Sequence, residues 1–163
     1  MKNRAQTYTD FDFWHMGAAI KEAELAFSMG EVPVGAVIVD SQNKVISKAH
    51  NLKESNQDPC GHAEIIAIRK AAEVLKSWRL LECTLYVTLE PCPMCMGAIV
   101  QSRLKSVVFG AYDAKGGAIT NGFNLHQNQN LNHRFNVIGG VNHYDCSNLL
   151  SSFFKQRRLF YKK

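Results

Sequence analysis

The sequence contains no run of eighteen apolar residues, so no stretch of it is long and apolar enough to cross a bilayer as a helix. Its polar start, MKNRAQTYTD, leads into no short apolar segment with a small-residue cleavage site, which disfavours secretion. No internal repeat and no interdomain linker is visible. The chain has 163 residues, of which 46% are hydrophobic and 20% charged. We therefore expect one globular domain over residues 1–163, located in the cytoplasm and not bound to a membrane.

Acidic residues are missing from the last thirteen positions, which carry five bases: Lys155, Arg157, Arg158, Lys162 and Lys163. Without these five, Lys and Arg equal Asp and Glu in number, so the formal charge of +5 belongs to the tail. Phe153 and Phe154 stand among the bases. Aromatic faces beside cations are typical of surfaces that hold single-stranded nucleic acid. The alternative is that the aromatic residues bury the last helix, although two adjacent helix positions cannot both face the core squarely.

Apolar spacing predicts the order of helices and strands. Helices are expected at 8–29, 62–76, 92–102 and from about 143 to the tail (143–163), and strands at 34–39, 44–49, 84–89 and 106–109. The first two strands form a hairpin, and strand-helix-strand crossovers follow in the middle, so we expect a mixed sheet covered by helices on both faces. Residues 111–133, rich in Gly, Asn and Gln, have no clear period; a connection of this length is either functional or partly disordered.

Two short segments supply ligands of the kind that bind metals. The letters HAE at 62–64 open one predicted helix, and PCPMC at 91–95 opens another directly after a strand. Cys92 and Cys95 face one way in the first turn of a helix, whose positive end favours their thiolate forms. With His62 as a third ligand, a tetrahedral Zn²⁺ keeps one position open for water, as in a catalytic site. Glu64 is then a candidate for general acid and base work, although spacing alone does not bring it to His62, because residues two apart do not share a helix face.

Two other interpretations of the cysteines stay open. The pair Cys92 and Cys95 could be a redox couple, because five cysteines are an odd number and two of them are closely spaced. Alternatively, Cys60, two residues before His62, could complete a closed Cys₃His site and shut out water. That structural site would leave Glu64 beside a cation without a role.

The pattern H-x-E followed by P-C-x-x-C is the zinc signature of nucleoside and nucleobase deaminases, which activate water for attack on C4 of cytosine or C6 of adenine. Further segments make the chain resemble the bacterial tRNA-specific adenosine deaminases (TadA-type) from the first helix to the tail. These segments are EVPVGAV at 31–37, Asn51, DPCGHAEI at 58–65, TLYVTLEPCPMC at 84–95, GAIVQSR at 97–103, VVFGAYDAK at 107–115, NHR at 132–134 and LLSSFFKQRR at 149–158.

The resemblance implies a three-layer α/β/α sandwich of the cytidine deaminase type, with a five-stranded mixed sheet. It implies a homodimer with one Zn²⁺ per subunit that converts the wobble adenosine of a tRNA anticodon to inosine and releases ammonia. Carried over by position, His62, Cys92 and Cys95 bind zinc, Glu64 shuttles protons, Asn51 and Val34 lie against the base, Asp113 lies near the sugar-phosphate, and Phe154, Lys155 and Arg158 hold flanking nucleotides.

Two other functions compete with tRNA editing. Deaminases of a free base or nucleotide, such as guanine or cytosine, share the zinc motifs, but the basic aromatic tail argues against them. A non-catalytic RNA-binding module with structural zinc would have no use for Glu64. The chain also departs from the family pattern at two points near the motifs, where Cys60 replaces a small hydroxyl residue and His50 replaces a frequent Trp.

Overall fold

The structure is a computed structural model that describes residues 7–160. Its helices are α1 (Asp10–Ser28), α2 (Ala63–Leu75), α3 (Pro93–Ser102) and α4 (His143–Phe160). Its strands are β1 (Gly35–Val39), β2 (Val45–His50), β3 (Thr84–Leu89), β4 (Ser106–Ala111) and β5 (Asn136–Gly139). The two ends of the expected 1–163 domain, with the tail bases Lys162 and Lys163, lie outside the described residues.

The five strands form one mixed sheet in the order β2-β1-β3-β4-β5. Strand β1 pairs antiparallel with β2 and with β3, whereas β4 runs parallel to β3 and to β5. The parallel crossover from β3 to β4 passes through α3, which is why the segment after β3 leads directly into a helix. The predicted five-stranded mixed sheet with helices on both faces is confirmed.

Two apolar cores lie on opposite faces of this sheet. Helices α2 and α3 cover one face, where Ala67 and Ile99 pack with Ile38 of β1. Helices α1 and α4 cover the other face, where Met16 packs with Val37. Successive residues of β1 therefore point to opposite layers, as the two-residue period of a strand requires. Strand β1 is buried at all five positions.

Local sequence explains most element ends. The Thr9 side chain caps α1 together with Asp12 in a capping box, as the choice of Thr9 or Asp10 predicted. The other predicted elements agree with the observed ones to within two residues, except for the end of α4, which was predicted at residue 163 and is described as far as Phe160. Gly35 opens β1 because α1 passes so close that a Cβ there would lie 2.0 Å from the carbonyl oxygen of Ala19.

Residue periodicity did not find β5. This strand has only four residues, lies at the sheet edge and is mostly half-buried or exposed, so it lacks a clean apolar alternation. The preceding stretch, predicted to have no period, contains the end of β4 and one 3₁₀ turn, Leu125–Gln127. Within residues 7–160, none of the helices combines the length and the apolar character needed to cross a membrane.

Candidate active site

Two helix N-termini bring the three predicted metal ligands together. His62 is the N-cap of α2, Cys92 is the N-cap of α3, and Cys95 lies in the first turn of α3. The His62 Nδ1 atom is 3.7 Å from the Sγ of Cys92 and 3.5 Å from the Sγ of Cys95. All three ligand atoms lie within 4.8 Å of one another. The strand-turn-helix geometry after β3 and the loop before α2 therefore converge on one point.

This donor set fits zinc. In a tetrahedral site with Zn–S of about 2.3 Å and Zn–N of about 2.0 Å, the nitrogen and sulfur ligands are roughly 3.5 Å apart. The two N–S distances in the cluster match that separation. One imidazole and two thiols are also the borderline-soft donors that zinc prefers. Cys60 is exposed and is not part of the cluster, so a closed four-ligand site is not formed by these residues.

The two thiols of the cluster differ in acidity. The pKa of Cys92 is lowered to about 4, chiefly by its hydrogen bond with the Cys95 thiol and further by His62. The pKa of Cys95 is raised, because its thiol is hydrogen-bonded to Cys92 and is buried beside Glu64. Two thiols this close share a proton, so only one of them ionises readily. A divalent cation between them removes the conflict, because both thiolates then have a positive partner.

Glu64 lies in the same pocket as His62, although the two residues are only two positions apart. His62 stands before the helix with extended backbone (φ −74°, ψ 147°), so the helical repeat does not turn its side chain away from that of Glu64. Glu64 is 4% exposed. Burial raises the pKa of its carboxyl, and a raised pKa favours a carboxyl that both accepts and donates protons in a reaction.

The pocket around these residues has a volume of about 270 Å³. Val32, Val34 and Leu89 form its apolar wall, and Asn51 and Asp113 add polar groups. Ligand pockets usually measure about 300–1,000 Å³, so this one is of a size for a single flat ring system. Val34 and Asn51, the residues expected against a base, are both buried at its edge.

A second depression, which we call the α4 groove, joins the pocket through Val32, Leu89 and Asp113. It has a volume of about 670 Å³ and continues along α4. The other side chains that line it include Tyr112, Lys115, Leu150, Phe154 and Arg158. Of the three residues predicted to hold flanking nucleotides, Phe154 and Arg158 line this groove, whereas Lys155 is exposed on α4 and is not among the residues that line it.

The two adjacent phenylalanines of α4 have different surroundings. Phe153 is 4% exposed and packs edge-on against Phe27 of α1, with ring centroids 5.5 Å apart. Phe154 is 45% exposed and lines the α4 groove. One phenylalanine thus anchors the helix and the other is available to a ligand.

Sequence reasoning gave no role to Glu31, Glu90 or Tyr112. Glu90, directly after β3, is 2% exposed, and its carboxylate accepts the backbone N–H groups of Thr120 at 2.7 Å and Asp113 at 3.1 Å. It thereby pins the loop that carries Asp113. Gly117 allows this contact, because a Cβ there would lie 2.4 Å from the carboxyl carbon of Glu90. The sequence signal that could have indicated this role is the position of Glu90, an acid directly after the apolar strand β3.

Comparisons with known proteins show which family the chain belongs to. A family model described as MafB19-like deaminase matches residues 10–158. The tRNA-specific adenosine deaminase of Bacillus subtilis (strain 168) is 49% identical over 147 residues, which are 90% of this chain and 91% of that protein.

Two solved structures are similar as well. One, from a study of A-to-I editing by tRNA:A34 deaminases at the wobble position of transfer RNA, has a TM-score of 0.80 and 38% identity, covering 84% of this chain and 99% of that one. The guanine deaminase of Bacillus subtilis has a TM-score of 0.59 and 38% identity, covering 68% of this chain and 69% of that one. The chain therefore belongs to the deaminase family and, within it, to the tRNA-specific adenosine deaminases.

Proposed function

We propose that this chain hydrolyses adenosine to inosine at the wobble position of a tRNA anticodon, with release of ammonia. The observation that carries the proposal is the pocket for a single ring system, with a buried carboxyl and a three-ligand cluster at its base, which opens into a groove lined by Phe154 and Arg158. A base that leaves its stack can enter such a pocket while neighbouring nucleotides lie in the groove. The resemblance to the Bacillus subtilis tRNA deaminase supports the same substrate.

One Zn²⁺ per subunit would be held by His62, Cys92 and Cys95. When bound, the ion would act as a Lewis acid that lowers the pKa of water. Glu64 would accept one proton of the attacking water as its oxygen adds to C6 of adenine. The same carboxyl then gives this proton to a ring nitrogen, takes the second proton from the new C6 hydroxyl and delivers it to the departing amine, so that adenosine and water are recovered as inosine and ammonia. The raised pKa of Glu64 suits both steps.

The other predicted residues would hold the substrate. Asn51 and Val34 lie against the base at the pocket wall, and Asp113 lies at the junction of the pocket with the α4 groove, near the sugar-phosphate. Phe154 offers a face for stacking to a flanking base, and Arg158 and Lys155 offer charge to the backbone phosphates. Water is excluded from the base by the apolar wall, which strengthens the hydrogen bonds made there.

We also propose that the chain acts as a homodimer. An apolar depression of about 450 Å³ lies between α2 and α3, and its lining includes Ile65, Ile68, Trp78, Met94 and Ala98. Trp78 is 55% exposed and Met94 37% exposed. Exposed apolar surface of this kind is typical of subunit interfaces. Sedimentation should give about twice the mass of one chain, and Met94→Glu should reduce it to one chain.

The proposed location is the cytoplasm, where tRNA is found. All five cysteines are free thiols. Cys60 is exposed and Cys92, a candidate metal ligand, is half-buried, and a reducing compartment protects such thiols from oxidation.

Deamination of a free base such as guanine is the second candidate function, because the structure is also similar to a guanine deaminase. One assay separates the two. The zinc-loaded protein is incubated with an anticodon stem-loop carrying adenosine at the wobble position, and separately with free guanine, cytosine and adenosine. We expect inosine in the stem-loop and no ammonia from the free compounds. Ammonia from guanine without inosine in the stem-loop would replace the proposal by the second candidate. Glu64→Gln is the control for contaminating activity.

A further inference from the structure

The end of α1 places a carboxylate in the interior beside the pocket wall. Gly30 has φ +77°, and its N–H donates to the carbonyl of Phe27 at 3.0 Å, while the N–H of Glu31 donates to that of Ala26 at 3.0 Å. This is the Schellman arrangement that ends helices at a glycine. Glu31, the next residue, is completely buried. A buried acid is rare without partners, so its contacts indicate what it does.

Glu31 accepts three hydrogen bonds from one short stretch of chain. Its Oε2 accepts from the Nδ2 of Asn51 at 3.0 Å and from the backbone N–H of Glu54 at 3.3 Å. Its Oε1 accepts from the backbone N–H of Ser55 at 2.6 Å. Burial alone would raise the pKa of Glu31, but its hydrogen bonds with Ser55 and Glu54, together with the charge of His50, outweigh burial and leave the pKa below its usual value. The side chain is therefore a carboxylate, which accepts hydrogen bonds and donates none.

This contact decides the orientation of Asn51. An asparagine amide has a donor end and an acceptor end, and only the Nδ2 end can face a carboxylate. The backbone of Asn51 is fixed as well, because its N–H donates to the carbonyl of Val34 at 3.0 Å. Asn51 lines the pocket with Val34 and Glu64. The orientation of its amide thus decides which donor and acceptor atoms a base in that pocket meets.

We infer that Glu31 is a positioning residue, which holds the Asn51 amide in one of its two orientations and so selects the hydrogen-bonding pattern of the base that is deaminated. The inference rests on the proposed function, since it needs a base in the pocket. Replacing Glu31 by Gln tests it at constant shape. If the new Oε1 stays on Ser55, the new Nε2 donor faces two other donors, the Nδ2 of Asn51 and the N–H of Glu54. Asn51 relieves this donor–donor conflict by rotating its amide, so that its oxygen faces residue 31 and its Nδ2 faces the pocket.

A purely structural role is the alternative, because Glu31 also ties down the loop that leads to His62. Glu90 provides a matched control for that role. Glu90 is equally buried, borders the same pocket and accepts backbone N–H groups from the opposite loop, at Asp113 and Thr120. Its hydrogen bonds do not include Asn51. A loop-ordering carboxylate should behave like Glu90, and a positioning carboxylate should not.

The experiment is a double-mutant cycle with the full chain loaded with zinc. The value of kcat/KM on the stem-loop is measured for Glu31→Gln, Asn51→Ala and the double variant, and for the same set with Glu90→Gln. We expect Glu31→Gln to lower kcat/KM roughly tenfold or more in the parent and by less than about threefold in Asn51→Ala, whereas Glu90→Gln costs the same factor in both backgrounds. Equal costs of Glu31→Gln in the two backgrounds, or loss of zinc in Glu31→Gln, would overturn the inference.

A second readout follows the base itself. The substrates are stem-loops with deaza-adenosines, in which one ring nitrogen is replaced by C–H, and each replacement lowers kcat/KM by some factor, which is its penalty. The ring nitrogen that Asn51 contacts is the one whose replacement no longer lowers kcat/KM in Asn51→Ala. The same penalty should shrink in Glu31→Gln, and an unchanged penalty contradicts the inference.

If Glu31→Gln does not fold, the parent protein still gives a test. In the parent, the Nδ2 protons of Asn51 should exchange slowly with solvent in NMR spectra, because the Glu31 carboxylate holds the amide. Rapid exchange overturns the inference. A parent that makes no inosine in the stem-loop would instead sink the proposed function, so the two failures are distinguishable.

Discussion

Two polar clusters lie on opposite faces of the sheet, and one of them lines the pocket described above. On the α2 and α3 face, His62 and Glu64 meet Cys92 around a cavity. On the α1 and α4 face, the hydroxyl of Tyr86 donates to Asp12 at 3.0 Å, and the ring of His15 lies 5.0 Å from that of Tyr86. Both clusters contain a histidine, a carboxyl and a third titratable side chain.

The clusters differ in what surrounds them. Asp12 is used within the fold, since it also closes the capping box of α1 and receives the Tyr86 hydroxyl. His62 and Cys92 stand at helix N-termini, so the positive ends of two helix dipoles lie beside the pocket that both residues line. Burial and a perturbed pKa occur in both places, so neither identifies a reaction centre by itself. What marks the His62 cluster is that its side chains line a pocket and that three candidate metal ligands converge there.

The largest effect should come from removing a metal ligand. Cys92→Ala is expected to lose bound zinc and with it all measurable turnover, because two protein ligands hold zinc poorly. Cys60→Ser, in the exposed cysteine outside the cluster, should keep both zinc and activity. Metal content is measured by atomic absorption beside the inosine assay. Loss of zinc in Cys60→Ser would show that the fourth ligand position is occupied by protein.

Glu64→Gln should lower kcat by about 10²–10⁴-fold, because the amide cannot carry the proton from water to the leaving amine. Zinc content and the thermal midpoint should stay close to those of the parent. The result separates an enzyme from an RNA-binding module with structural zinc. In such a module Glu64→Gln would leave the function, which is RNA binding alone, intact. Unchanged inosine formation in this variant contradicts the proposed mechanism.

The adjacent residues Phe153 and Phe154 repeat the comparison on one helix. Phe153→Ala should destabilise the fold by about 3–5 kcal/mol, because it opens a cavity against Phe27. Phe154→Ala should leave stability nearly unchanged and weaken stem-loop binding by about 1–3 kcal/mol, the worth of one stacked base. Denaturant titration and binding measured at two salt concentrations separate the two effects. An equal loss of stability in both variants would assign Phe154 to the core.

Tyr86→Phe should cost about 1–2 kcal/mol of stability, because it leaves a buried oxygen of Asp12 without its donor. The value of kcat should not change, since this cluster lies on the other face of the sheet. A fall in kcat at full zinc loading would show that the two faces are coupled.

The smallest effect concerns His15. Burial lowers its pKa below the ordinary value of 6.5, and Asn43 and Asp12 oppose this only in part. The folded state then binds a proton less readily than the unfolded state, so stability is present above pH 6.5 and is lost as pH falls from there towards the folded pKa. The slope is at most about 1.4 kcal/mol per pH unit. His15→Phe should remove this part of the slope between pH 7.5 and 5.5, as measured by thermal unfolding relative to the parent.

Periodic and motif-bearing parts of the chain were predictable from the sequence. Four helices and four strands follow from apolar spacing, and His62, Cys92 and Cys95 follow from residue type and distance along the chain. The edge strand β5 was missed, because four half-exposed residues carry too little apolar alternation. The meeting of His62 with Glu64 was not predictable from spacing, since it depends on His62 preceding the helix with extended backbone.

By itself the sequence determined the order of the elements and the basic aromatic character of the tail, because these are properties of neighbouring residues. It also supplied the donor types of the candidate metal cluster, since each of its two motifs is a short local pattern. Only the tertiary structure decided which phenylalanine faces outward and which buried acids serve the pocket. Glu31 meets Ser55 across 24 positions and Glu90 meets Thr120 across 30, and a contact of this kind exists only once the strands have brought distant loops to one end of the sheet.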